Sequence, residues 1–377
     1  MLDKILNFID KIDADPIKID QQYCTRLQSP KSNCTSCYDF CPQEAIQMAN
    51  EELSISFSRC INCGLCVNSC PNQVFTLEMN SDLNIINEFQ ANSNSNFKIS
   101  CQEAKKGNGA HVKCLGRISV NLLLKLLLVG ADSIWLQPGD CSNCELKKGR
   151  SLIEEAAENC NSLLKNYSEQ PRVFLSTTKP NLNLAEFQLR LAEVQDEEEI
   201  NRQGVGRREF INKVREESIN SLIDLISFGD EKETEEEIEE KINPNRQELI
   251  TLVEKLEKEA QVIDKTSSQS LFWQINIKQN CNFCGACVML CPNHALDLIE
   301  KKDENNEGKR IIVENKLCSN CKLCQEVCFK EQIAIIENRD YDLKAKTAYQ
   351  GKKIECIDCN KSFYAINKNK EICSFCE

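Results

Sequence analysis

The sequence predicts a multidomain α+β chain. Two copies of one small module, each a β-hairpin with short helices, are set around a small open parallel α/β domain, and a helical segment and a C-terminal knuckle pair complete it. Three observations predict this. The 25 cysteines fall in blocks at 24–70, 101–144, 281–328 and 356–376, with Cys160 alone. The first and third blocks repeat one spacing, which marks an internal duplication. Between them, short β-type runs alternate with helical ones, the pattern of a parallel sheet with crossover helices. A chain of 377 residues has room for several such units, and the divisions fall at 1–20, 21–80, 81–181, 182–268, 269–340 and 341–377.

Composition narrows the chemistry. Lys and Arg number 46 against 58 Asp and Glu, a net charge of −12, the wrong sign for a surface that holds phosphate backbones. No nucleic-acid partner is expected. With only two histidines, His111 and His294, imidazole is not the main metal ligand and a histidine-based triad is not expected. The opening Met1-Leu2-Asp3-Lys4 carries acid where an export leader needs base, and the apolar stretch Val120–Val129 is interrupted by Asn121 and Lys125. A cytoplasmic protein without a membrane span is therefore expected, and in a reducing compartment paired cysteines mean metal rather than disulfide.

In chain order, Leu2, Ile5, Leu6, Ile9 and Ile12 lie at helical spacing opposite Asp and Lys, predicting an N-terminal amphipathic helix over 1–20. Residues 21–80 then carry Cys60-x2-Cys63-x2-Cys66-x3-Cys70-Pro71, the bacterial ferredoxin run. Three thiolates on a tight loop grip one cubane, while the fourth, leading away, reaches a different cluster. Its partner run, Cys34-x2-Cys37-x3-Cys41-Pro42, lacks the leading cysteine, and Cys24 is the substitute. The expected [4Fe-4S] sites are thus Cys24, Cys34, Cys37 and Cys70, and Cys60, Cys63, Cys66 and Cys41. Gly64, like Gly285 in the second copy, is expected to let backbone approach a cluster without a β-carbon between. The chain resembles the two-[4Fe-4S] bacterial ferredoxins over about 22–78 and 272–338, which implies a ferredoxin-like fold for both modules.

The α/β domain over 81–181 is predicted from strands at Phe97–Cys101, Ala110–Cys114, Ser133–Leu136 and Arg172–Ser176 and helices over about 119–129 and 151–166. Cys101, Cys114, Cys141 and Cys144 fall just past the carboxyl ends of strands, where ligands collect on an open sheet. Four such cysteines suit a [2Fe-2S] cluster or a tetrahedral zinc. Cys160, beside Leu163 and Leu164, is expected in the core. His111 is expected to pack, and Arg117 to pair with Asp132. The runs Lys113-Cys114-Leu115-Gly116-Arg117-Ile118, Gly130-Ala131-Asp132-Ser133 and Gly139-Asp140-Cys141-Ser142-Asn143-Cys144 resemble the iron-sulfur (delta) subunit of methyl-viologen-reducing hydrogenases over roughly 96–178. That resemblance implies one [2Fe-2S] cluster on Cys114, Cys141 and Cys144, and the strand-end position of Cys101 makes it the expected fourth ligand, although the family tends to place a denser cysteine cluster near the first strand and here there is one. It also implies a relay between a hydrogenase or formate dehydrogenase and a flavin-containing, heterodisulfide-reductase-like partner.

Residues 182–268 are rich in Glu, Lys and Leu and predict solvated helices, one of them carrying the apolar stripe Leu249, Leu252, Val253 and Leu256. Residues 269–340 repeat the ferredoxin pattern as Cys281-x2-Cys284-x2-Cys287-x3-Cys291-Pro292 and Cys318-x2-Cys321-x2-Cys324-x3-Cys328. The exchange rule assigns one [4Fe-4S] cluster to Cys281, Cys284, Cys287 and Cys328 and another to Cys318, Cys321, Cys324 and Cys291. Phe329 stands where proline usually follows, a departure that affects the turn. Finally, Cys356-x2-Cys359-x13-Cys373-x2-Cys376 predicts a zinc-ribbon-like site with one structural zinc, with a rubredoxin-like iron as the rival.

No phosphate loop or complete dinucleotide fingerprint occurs, and no catalytic residue stands out. Four [4Fe-4S] clusters, one [2Fe-2S] cluster and one zinc without a substrate pocket predict an electron-transfer component of an oxidoreductase complex rather than its catalytic subunit. Such a component serves anaerobic metabolism, between ferredoxin, a hydrogenase or a formate or aldehyde dehydrogenase-type enzyme and a flavoprotein. The rivals are a redox-sensing regulator working through the C-terminal ribbon and an autonomous iron-sulfur enzyme with an open iron position.

Overall fold

The structure is a computed structural model describing residues 16–78, 81–92, 94–105, 107–168, 170–180, 242–259, 271–303, 306–338, 343–365, 371–373 and 376. The expected N-terminal helix and most of the acidic helical region lie outside the described residues.

The first module runs β1 (Ile17–Ile19), α1 (Thr25–Gln28), α2 (Ser36–Phe40), the hairpin β2 (Ile46–Ala49) and β3 (Glu52–Ile55), α3 (Leu65–Ser69) and β4 (Phe75–Leu77). Its outer strands close on each other antiparallel, Ile17 opposite Leu77, and the hairpin pairs Ile46 with Ile55. Ile17, Ile46, Leu53, Ile55, Val74 and Phe75 fill the space between. These short strands alternate apolar and polar residues, so one face is buried and the other wet.

Next comes α4 (Asp82–Ala91), then β5 (Asn96–Cys101), β6 (Ala110–Val112), α5 (Val120–Leu128), β7 (Ser133–Gln137), α6 (Gly149–Leu164) and β8 (Val173–Leu175). The four strands form one wholly parallel sheet in the order β6-β5-β7-β8. Every residue of α5 after Val120 is buried, as suits a helix covered on all sides. Cys160 is buried among Leu163, Leu164 and Val173, as expected of a core residue.

The second module follows α7 (Pro244–Glu259) and repeats the first: β9 (Trp273–Ile277), α8 (Ala286–Met289), β10 (Leu296–Asp303), β11 (Asn306–Val313), α9 (Leu323–Val327) and β12 (Ile333–Glu337). β9 and β12 close antiparallel, Ile277 opposite Ile333, as β1 and β4 do. The hairpin is longer here, and β13 (Lys346–Glu355) and β14 (Ser362–Ala365) extend it into a sheet of order β10-β11-β13-β14, with a bulge between Ile311 and Ile312. The C-terminal knuckles thus hang from the ferredoxin-type hairpin itself.

The stripe on α7 finds its partner within the chain. Leu249, Leu252, Val253 and Leu256 are buried in the same core as α5. Lys125 meets Glu248 at 2.5 Å, and the Asn121 amide donates to the Asn245 carbonyl and to Glu248, both at 2.9 Å. Leu252, 1% exposed, sits at the centre. Leu252→Ala is expected to destabilise this packing by about 2–5 kcal/mol. Hydrogen exchange should then accelerate in α5 while β9 and β12 keep their protection.

Candidate metal centres

In the first module, Cys24 caps the start of α1, Cys37 lies in α2, and Cys70 follows α3. These three, with Cys34, line one cavity together with Met48, Leu53, Val74 and Phe75. Cys41, Cys60, Cys63 and Cys66 line a second, walled by Ile17, Ile46 and Ile55. The structure therefore places Cys24 with its expected quartet, and it exchanges Cys41 and Cys70 between runs. In the second module the thiols of Cys281, Cys284 and Cys328 surround Cys287, while those of Cys318, Cys291 and Cys321 surround Cys324.

One backbone device recurs at all four exchanged cysteines. Three residues beyond each sits a left-handed residue, Glu44, Gln73, His294 or Glu331. The next amide then turns back onto the sulfur: Ala45 N to Cys41 Sγ, Ala295 N to Cys291 Sγ and Gln332 N to Cys328 Sγ all span 3.3 Å, and the Val74 amide serves Cys70 likewise. The turn after Cys328 keeps this form although Phe329 replaces proline. Amides aimed at sulfur favour the thiolate and tune a bound cluster.

Gly64 and Gly285 have φ of +75° and +78°, each just ahead of a helix. Lys322 occupies the same position at +65°. Left-handed backbone is common to the three positions, and at Gly64 a β-carbon would also stand 2.8 Å from Arg117 Cβ. Glycine adopts such backbone without strain.

In the α/β domain, Cys101 ends β5, Cys114 follows β6, and Cys141 and Cys144 flank a turn after β7. All four line one cavity with Pro138, Gly139, Leu146, Arg150 and Ile153. Amides again face sulfur, Gly139 N to Cys101 at 3.2 Å, Leu146 N to Cys144 at 3.3 Å and Gly116 N to Cys114 at 3.4 Å. Burial raises the Cys141 thiol, and the Arg150 guanidinium beside it opposes the rise. Arg150 was not legible as a site residue, because only the crossing of α6 past the β7 turn brings it there. Arg117 departs from expectation. It pairs with Asp82 of α4 at 2.8 Å, while Asp132 lies beside Arg172 instead. His111 is exposed rather than packed, with Nδ1 3.0 Å from Ser100 Oγ.

This cavity abuts the first module. Cys63, Leu65, Leu146 and Leu152 form one apolar cluster against which Cys114 and Cys144 pack. The Lys113 ammonium donates to the Ile61 carbonyl, and that of Lys148 to the Asp39 carbonyl.

The donor sets fit metal. Burial, reinforced by neighbouring cysteines, pushes Cys37, Cys114 and Cys287 up to about 12. Crowded, desolvated thiols of this kind give up their protons when a cation takes the protons' place. At the C-terminus the geometry suits a single ion. Cys356, Cys359, Cys373 and Cys376 hold their sulfurs all within 4.8 Å of one another, with Cys359–Cys373 at 3.7 Å and Cys373–Cys376 at 3.6 Å. A tetrahedron of Zn–S bonds has an edge of about 3.8 Å. Among the described residues this is the one group so tightly drawn. The Cys373 amide, 3.2 Å from Cys356 Sγ, pulls that thiol below its usual range. The ribbon also braces the second module. Tyr349 Oη donates to the Gln279 carbonyl at 2.5 Å, and Phe283, inside the Cys281 loop, packs tilted against Tyr349 and edge-on against Tyr364.

Among the described residues no helix is long and apolar enough to cross a membrane. No curated protein matches the chain. Residues 16–71 and 280–332 each match the 4Fe-4S dicluster domain, and residues 100–197 match the delta subunit of methyl-viologen-reducing hydrogenase. Two 4Fe-4S dicluster domains therefore flank a domain similar to that hydrogenase delta subunit.

Proposed function

We propose that this chain is the electron-transfer subunit of a multi-protein oxidoreductase, passing electrons between a hydrogenase, formate or aldehyde dehydrogenase-type enzyme or a ferredoxin and a flavoprotein of the heterodisulfide-reductase-like kind. Its quartets at Cys24/34/37/70, Cys41/60/63/66, Cys281/284/287/328 and Cys291/318/321/324 would each hold a [4Fe-4S] cluster. Cys101, Cys114, Cys141 and Cys144 would hold a [2Fe-2S] cluster, and Cys356, Cys359, Cys373 and Cys376 a structural zinc. Bound clusters of these types accept and donate single electrons. The protein supplies thiolates, amides directed at sulfur and an apolar wall that keeps water from the sites.

The observation that carries this reading is the packing of one thiol quartet against another across the seam between the first module and the α/β domain, Cys63 against Cys114. An isolated structural metal has no need of such a neighbour. Anaerobically purified chain is expected to hold about 18 irons with matching sulfide, and about one zinc. Several zincs with few irons would end the electron-transfer reading.

A further inference from the structure

Each thiol quartet has particular neighbours, and together the neighbours define an order. Within the first module Cys37 of one quartet lies in the surroundings of Cys66 of the other. Cys63 then meets Cys114 of the α/β domain. Within the second module Cys287 lies in the surroundings of Cys324. What joins the two modules is a buried polar bridge. Asn72 and Asn293 occupy the same place in their repeats, two residues after the exchanged cysteines Cys70 and Cys291, and are 3% and 1% exposed. The Asn293 amide donates to Asn72 Oδ1 at 3.0 Å and to Ser319 Oγ at 2.8 Å, and Ser319 Oγ donates to Asn72 Oδ1 at 2.5 Å. Asn243, just before α7, donates to the Asn72 carbonyl at 2.6 Å, and Arg246 Nε to the Lys316 carbonyl at 2.8 Å. A second contact points the same way, the backbone N–H of Asn33 donating to Glu326 Oε2 at 3.3 Å.

The residues that touch directly from one module to the other adjoin cysteines of only two quartets. Asn33 adjoins Cys34, and Asn72 follows Cys70, both of the Cys24 quartet. Asn293 follows Cys291, Ser319 lies between Cys318 and Cys321, and Glu326 follows Cys324, all of the Cys318 quartet. Buried amides and hydroxyls are costly unless paired, so such a bridge fixes one relative placement of the modules and disfavours others.

We propose that the Asn72–Asn293–Ser319 bridge places the Cys24/34/37/70 and Cys291/318/321/324 centres face to face. The five redox centres then form a single unbranched line: Cys281 quartet, Cys318 quartet, Cys24 quartet, Cys60 quartet, Cys101 quartet. This rests on the cluster-binding reading above. The line has two ends, one at the exposed Cys284 and the other at the cavity beside Arg150. Electrons therefore traverse both ferredoxin-type modules in series, although the α/β domain separates them in sequence. Asn72, Asn293 and Ser319 act as positioning residues.

Pulsed dipolar and relaxation electron paramagnetic resonance on the reduced full-length chain tests the order, with single cysteine-to-serine deletions assigning each coupled pair. The strongest coupling between modules is expected between the Cys24 and Cys318 centres, and coupling of the Cys101 centre to the Cys60 centre. Asn72→Ala combined with Asn293→Ala, which removes side chains bonded to each other, to Ser319 and to the Tyr23 carbonyl but to no thiol, should abolish the intermodule coupling while leaving iron content and both intramodule couplings unchanged, a pattern that general unfolding does not produce. Iron content separates the failures. A chain that lacks iron overturns the cluster reading and the line with it. A fully loaded chain whose modules couple through the Cys281 or Cys60 centre, or whose double variant keeps the wild-type coupling, overturns the order alone.

Discussion

Replacing Cys41 with serine is expected to destroy the centre built on Cys60, Cys63 and Cys66, and to spare the one built on Cys34 and Cys37 from which Cys41 is only a few residues distant. Cys41 caps α2, whose helical turn carries its sulfur away from the Cys34–Cys37 loop and into the cavity lined by Ile17, Ile46 and Ile55. The left-handed Glu44 then returns the Ala45 amide to that sulfur at 3.3 Å. A serine hydroxyl holds its proton far more tightly than a thiol and offers iron a harder donor, so it is poorly matched to this site. Iron should fall by about four per chain, or by about one if the damaged cubane survives as a three-iron form. Cys70→Ser is expected to do the reverse, removing the Cys24 quartet's centre and leaving the Cys60 one. Spectra of Cys41→Ser and Cys34→Ser decide the matter. If the two variants lose the same signal, the exchange of fourth ligands is wrong.

The cysteine registers were legible in the sequence because ligation by this loop is local. Three sulfurs within seven residues must face one another whatever surrounds them. The strands and helices of the α/β domain were legible for a similar reason, since Phe97, Ile99, Ile134, Leu136 and the leucines of α5 are apolar on every face that a doubly covered parallel sheet buries. What escaped was long-range and polar. The helix α4 shows too few apolar positions to announce itself, with Ile85, Ile86 and Phe89 buried but flanked by Asn and Glu. Its Asp82 takes Arg117 in place of Asp132, a pairing between residues 35 apart that only the docking of α4 creates. The apolar stripe of α7 was visible but its partner α5 was not, because hydrophobicity is non-directional and names no partner. Asn72 and Asn293 carry no signal as single residues. Only their equivalent placement in the duplicated turn, once the modules are docked, gives them meaning.

The second large effect is expected from a residue that ligates nothing. Gly149, the first residue of α6, lies where the α/β domain meets the first module. A β-carbon there would stand 2.4 Å from Cys114 Sγ and 2.9 Å from Leu65 Cδ2, closer than such atoms ever approach. Nor can the surroundings yield easily. Leu65 is fully buried, and Gly116, across the gap, is already so close that a β-carbon on it would come 2.6 Å from Gly149 Cα. Gly149→Ala must therefore push the Cys114 sulfur out of its quartet or lift α6 off the seam, and overpacking of this kind costs about 1–3 kcal/mol even where the chain absorbs it. The expected result is a chain that has lost the Cys101/114/141/144 centre, about two irons, while its four cubanes persist. The exposed Glu155→Ala on the same helix serves as the control and should leave every centre intact. Retention of the full iron complement with an unaltered spectrum in Gly149→Ala would mean that Cys114 is not held as described. Loss of the Cys60 centre as well would mean that the seam is a single unit rather than two sites in contact. Between these outcomes lies the physical point at issue: the position of Cys114, and with it the step from the first module into the α/β domain, is set by how closely two glycines let a helix approach a loop.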